Sequence, residues 1–278
     1  MISDVSAFFF PHQGRQLYCC RFGPSIATAS QVLLYFPPFT EEANRCRPMV
    51  ALQARNLAEE GVATILMDYY GTGDSSGEFI DTTVEIWRRD ALALGRSLVD
   101  AGARNLSLWG LRFGALLASE IAASAELPVK HLLLWQPAIS GKTLMAQFLR
   151  IRVAAALGGE TGETAKDLRA KMVTGNYLEV AGYELTGQLA DDLDAMHLHD
   201  QAPSAVDAVY WLELASHTPR FIAPASEKIV AAWQGAGIAV ASQAVAGSRF
   251  WDLPEITLAP DLITATQTLF NLDFEVGS

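Results

Sequence analysis

The chain has 278 residues, half of them hydrophobic and 18% charged, which is enough apolar material for one sizeable core and unlike a disordered segment. Its net charge of −11 sets it against nucleic acid and anionic membrane surfaces. The three cysteines, Cys19, Cys20 and Cys46, are too few and too oddly spaced for a disulfide framework.

From the N-terminus, no basic residue precedes Phe8-Phe9-Phe10, as a secretory signal would require. No uncharged apolar run reaches the ~18 residues of a membrane span, so the expected location is the cytoplasm. Val5 to Phe10 and Gln16 to Phe22 read as two strands around a turn at His12-Gln13-Gly14-Arg15. Adjacent Cys19 and Cys20 then point to opposite faces of the second strand. Val32 to Phe36 is a continuous apolar run, as in a strand buried on both faces, and it stops at Pro37-Pro38. A helix is expected from about Arg47 to Glu60, ended by Gly61.

Val62 to Met67 is the next buried strand, and the glycine-rich loop Asp68 to Gly77 follows. Thr82 to Ala101 is amphipathic, with Val84, Trp87, Ala91, Leu94 and Leu98 at helical spacing. Leu106 to Trp109 is a short strand leading into Gly110-Leu111-Arg112-Phe113-Gly114 and an apolar helix to Ala123; Val129 to Trp135 is another strand. The alternation of strand and helix breaks over 140–203, which shows helical patterns and no convincing strand. It resumes with a strand at Val206 to Leu214, a helix at Ala223 to Gln234, a strand at Ile238 to Val245 and a helix from Pro260. This order predicts one α/β domain over 1–278, a mostly parallel central sheet with helices on both faces, carrying a helical cap insertion at 140–203.

Gly110-Leu111-Arg112-Phe113-Gly114 has the frame of the nucleophile elbow G-x-S-x-G, with arginine where serine belongs. Together with Pro37-Pro38-Phe39, the loop Asp68 to Ser75, and Gly247-Ser248-Arg249-Phe250-Trp251, it resembles the α/β-hydrolase superfamily. The blocks Pro37 to Asn44, Trp109 to Ala115, Trp135-Gln136-Pro137, Gln147-Phe148-Leu149-Arg150 and Phe250-Trp251 further resemble the exosortase A system-associated hydrolase 2 family. That resemblance implies the hydrolase fold, a bacterial exosortase or exopolysaccharide setting and a protein partner from such a system.

In the superfamily the triad runs serine, acid, histidine along the chain. Arg112 stands at the serine position, and a guanidinium keeps its proton and is no nucleophile. The acid loop reads Ala215-Ser216-His217-Thr218-Pro219 without a carboxylate, and the histidine loop reads Gly247 to Asp252 without a histidine. The resemblance leaves an oxyanion hole of backbone N–H groups at Phe39 and Phe113. Two roles for Arg112 stand open. It anchors an anionic ligand beside the helix N-terminus, or it pairs internally with a nearby carboxylate such as Glu41 or Glu42.

Substitute catalytic groups are also conceivable. Cys46 lies between Arg45 and Arg47, whose charge would lower a thiol pKa; the alternative is an inert thiol. His217 and Asp252 would form a couple in swapped order; the alternative for His217 is a turn residue before Pro219. Gln136 and Trp251 are expected to line the crevice at the carboxyl ends of the strands. No metal signature and no nucleotide-binding glycine motif occurs, so neither metal nor cofactor is expected. The function is held between a catalytically dead protein binding an anionic or acyl small molecule near Arg112, and an esterase- or thioesterase-type enzyme using non-standard residues.

Overall fold

The computed structural model describes residues 4–156, 164–173, 177–215 and 221–276. A hairpin opens it: β1 (Val5–His12) and β2 (Arg15–Phe22) turn at Gln13-Gly14, both with positive φ (48° and 78°), as a tight two-residue hairpin requires. Then come β3 (Gln31–Phe36), α1 (Glu41–Glu59), β4 (Val62–Met67), α2 (Val84–Asp100), β5 (Leu106–Leu111), α3 (Phe113–Ser124) and β6 (Val129–Trp135). After an insertion, the pattern closes with β9 (Ala208–Ala215), α7 (Pro224–Gly235), β10 (Val240–Ala246) and α8 (Pro260–Val276).

These eight strands form one sheet in the order β1-β2-β4-β3-β5-β6-β9-β10. The pairs β1–β2 and β2–β4 are antiparallel, and every pairing from β4 to β10 is parallel. Successive residues of the central strands feed two cores. Leu34, Leu108 and Leu134 pack with Trp87 of α2 and Leu117 of α3, while Tyr35, Trp109 and Trp135 pack with Met49 of α1 and Leu262 of α8. On the second face Trp109 lies between Tyr35 and Trp135, each ring centroid 4.6 Å away, and Trp135 donates its indole N–H to Thr266 of α8.

The insertion holds α4 (Gly141–Ala156), α5 (Ala165–Val173) and α6 (Gly187–Asp194), and also a hairpin of β7 (Leu178–Val180) and β8 (Tyr183–Leu185). The expectation of no strand there is therefore corrected. Three-residue strands are too short to show an alternating pattern in sequence. A second correction is the start of α1, which begins at Glu41 rather than near Arg47 and runs through Pro48. Its first turn carries two carboxylates, Glu41 and Glu42, which suit the positive end of a helix but give no apolar stripe to read. Among the described residues, no helix is long and apolar enough to cross a membrane.

Candidate functional site at the elbow

β5 turns into α3 at a single residue. Arg112 has φ 56° and ψ −112°, a conformation a side-chain-bearing residue adopts only under strain of about 1–3 kcal/mol. The flanking glycines show why the turn is so tight. A Cβ on Gly114 would lie 1.9 Å from the Phe36 carbonyl oxygen at the end of β3, and one on Gly110 would lie 2.4 Å from Ala115 Cα. α3 thus sits directly against the carboxyl ends of β3 and β5. Thr40, which caps α1 after β3, has nearly the same backbone geometry as Arg112, with φ 50° and ψ −124°. The residues that precede α1 and α3 therefore share one backbone conformation, although β3 reaches α1 through four residues and β5 reaches α3 through one.

The Arg112 side chain is buried and bonded through Nε and Nη2. Its Nε donates to Glu42 Oε2 at 3.3 Å, and its Nη2 donates to Glu42 Oε1 at 3.2 Å and to Gln147 Oε1 at 2.9 Å. The guanidinium carbon also lies 5.5 Å from the ring centroid of Trp251. One side chain thereby ties the elbow to α1, to α4 of the insertion and to the loop after β10. Burial pushes the Glu42 carboxyl above its ordinary range, with the Arg112 charge pulling it back down.

In front of this cluster is a cleft of about 480 Å³. Glu42, Gln147 and Trp251 line it, together with Thr40, Arg45, Phe148, Arg150 and Arg249. Arg112 lies behind that lining. The cleft charges are unevenly matched. Arg249 pairs with Asp252 at 2.8 Å, and Arg45 donates to the carbonyl oxygens of Trp251 and Asp252 at 3.5 and 3.2 Å. Arg150 is exposed and has no hydrogen-bond or ion-pair partner among the described residues. Thus neither Arg45 nor Arg150 has a carboxylate partner there.

The other expected site residues fall as follows. Glu41 and Asp252 line the cleft. The Phe39 and Phe113 rings pack edge to face at 5.9 Å inside the core; Phe39 also borders the cleft, and Phe113 does not. Gln136 does not line the cleft. It has φ 41°, and its side-chain oxygen accepts from Leu214 N of β9 at 2.7 Å, so it stitches β6 to β9. Of the two readings of Cys46, the inert thiol fits: it is fully buried, and burial raises its pKa well above the ordinary value. Buried Cys19 is pushed to about 12 for the same reason. His217, and with it the proposed His217–Asp252 couple, lies outside the described residues. Among the described residues, no three His, Cys, Asp or Glu side chains are grouped to hold a metal ion.

Gln147 is the site residue that sequence reasoning missed. It was visible within the block Gln147-Phe148-Leu149-Arg150, but nothing local says that α4 lies over the elbow. The mostly parallel eight-stranded sheet, the strained elbow and the insertion after β6 define the α/β-hydrolase fold. The structure is similar to ferulic acid-bound Est1E from Butyrivibrio proteoclasticus, with a TM-score of 0.67 and 19% identity over 96% of this chain and 98% of that one. It is also similar to mouse alpha/beta hydrolase domain-containing protein 10 (TM-score 0.59, 17% identity, 96% and 98% covered). A thioesterase domain from the curacin biosynthetic pathway gives a TM-score of 0.57 at 15% identity, with 96% and 99% covered. No family model matches the sequence, and no curated protein sequence matches it.

Proposed function

We propose that this chain uses the hydrolase frame to bind a small carboxylate with an apolar tail, and that it does not carry out Ser-His-Asp hydrolysis. One observation carries this reading: where a nucleophile would stand, the Arg112 guanidinium is held by Glu42 and Gln147, yet an open cleft of about 480 Å³ remains beside it. That size falls within the ~300–1,000 Å³ of ordinary small-molecule sites. Leu144, Phe148 and Ile151 offer an apolar wall, and Arg45 and Arg150 offer positive charge without a carboxylate partner among the described residues. Arg112 serves as a positioning residue that joins the wall on α4 to the floor on α1. The sequence blocks that resemble the exosortase-associated family support a bacterial exopolysaccharide setting with a partner from that system, and the lack of a signal-like N-terminus in the sequence supports a cytoplasmic location.

Calorimetric titration with octanoate tests the reading. Octanoate should bind, and Arg150→Ala should weaken it about tenfold, as loss of one charge-assisted contact would. No octanoate binding, together with hydrolysis of p-nitrophenyl octanoate above the buffer rate, would instead establish an esterase with non-standard residues.

A further inference from the structure

A second crevice lies on another face of α1 and shares no lining residue with the elbow cleft. Ala43, Arg47, Val50 and Ala51 recur at helical spacing along that face, opposite Tyr18 and Cys20 of β2 and Leu66 of β4. The cavity between them measures about 190 Å³. For scale, an apolar cavity of about 150 Å³ accepts one benzene ring.

Two polar groups mark this crevice as more than a packing gap. Tyr35 is 5% exposed and lines it, yet its hydroxyl bonds to no group among the described residues. The hydroxyl oxygen is open to the crevice space, so a ligand acceptor seated there can take its hydrogen bond. Arg47 stands at the mouth, its side chain 47% exposed. It uses only Nη2 on the Asp68 carboxylate, at 2.9 and 3.0 Å, and its Nε and Nη1 have no hydrogen-bond partner among the described residues. The Arg47 charge acts on the Tyr35 hydroxyl, and burial keeps that phenol protonated and able to donate.

The geometry points to a second binding site here, for a one-ring aromatic carboxylate whose ring lies between Tyr18 and Val50 and whose carboxylate meets Tyr35 and Arg47. The aromatic wall and the volume favour a single flat ring, and the two donors at one end favour an anionic acceptor. The site is independent of the elbow cleft, so the octanoate reading and this one stand or fall separately.

Cys20 provides the readout. It is half-buried on the crevice wall, whereas Cys19 and Cys46 are buried, so alkylation of the native protein reports on this crevice. Burial raises the Cys20 pKa, with Arg55 partly opposing it, so the reaction is run in alkaline buffer. Benzoate at ten times its Kd should slow iodoacetamide alkylation of Cys20 about tenfold, by simple occupancy. Tyr35→Phe should raise the benzoate Kd about three- to tenfold without lowering the melting temperature, because the hydroxyl it removes bonds to no described group. Ala51→Phe, which fills the crevice, should abolish protection, and Arg150→Ala should leave it intact. An alkylation rate unchanged by benzoate, an unchanged Kd in Tyr35→Phe, or protection that survives Ala51→Phe would each overturn the proposal.

Discussion

Arg112 Nη2 lies 3.2 Å from Glu42 Oε1, so the residue at the tip of the elbow is joined to the first turn of α1, the helix that follows the neighbouring strand. Both side chains are mostly buried, at 9% and 19% exposure. Removing one partner strands a buried charge on the other. Arg112→Ala should therefore lower stability by about 3 kcal/mol near neutral pH, measured by urea unfolding.

The same pair predicts a pH dependence. Burial raises the Glu42 carboxyl above its ordinary 4.5, and Arg112 opposes that rise. A carboxyl whose folded pKa exceeds its unfolded one stabilises most below the unfolded value, and that contribution is lost as pH climbs through the folded value. Without Arg112 the folded value rises further. The deficit of Arg112→Ala should thus be smaller in acetate buffer near the ordinary carboxylate range than in mildly alkaline buffer. A deficit independent of pH would show that Glu42 is not the group left unpaired.

Gly114→Ala should be the most damaging single methyl in the elbow. Its Cβ would meet the Phe36 carbonyl oxygen at 1.9 Å, a backbone atom that cannot turn aside. The chain should lose about 3 kcal/mol or more, or fail to accumulate folded. Ala at Gly235, where nothing lies within 4 Å of the added Cβ, is the control and should be tolerated.

Gln147 should act on the insertion more than on the core. Its side-chain oxygen receives the Arg112 Nη2 hydrogen bond at 2.9 Å, which links α4 to the elbow. Gln147→Ala should cost about 1 kcal/mol globally. Amide hydrogen exchange in α4 should speed up while β5 and α3 stay protected. Uniform acceleration across β5 would mean the contact supports the core instead.

The sheet was legible in the sequence because its strands are buried on both faces and read as short apolar runs, as at Val32 to Phe36 and Leu106 to Trp109. The elbow was legible from Gly110 and Gly114, since only glycine fits those contacts. What escaped depends on tertiary placement. The polar first turn of α1 has no apolar stripe and no side-chain cap from Thr40, so it looks like loop, and β7 and β8 are three residues each. Cys46 looked activated by its flanking arginines, but helix geometry points Arg45 at the Trp251 and Asp252 carbonyls and Arg47 at Asp68, and buries the thiol. Of the two roles left open for Arg112, the internal partner is visible as Glu42, and the cationic rim of the cleft falls to Arg45, Arg150 and Arg249.

The central claim is that the elbow presents a bound guanidinium and no nucleophile. Intact-protein mass spectrometry after incubation with a fluorophosphonate tests it most directly. The predicted result is an unmodified mass. A stoichiometric adduct that maps to a residue lining the elbow cleft would contradict it.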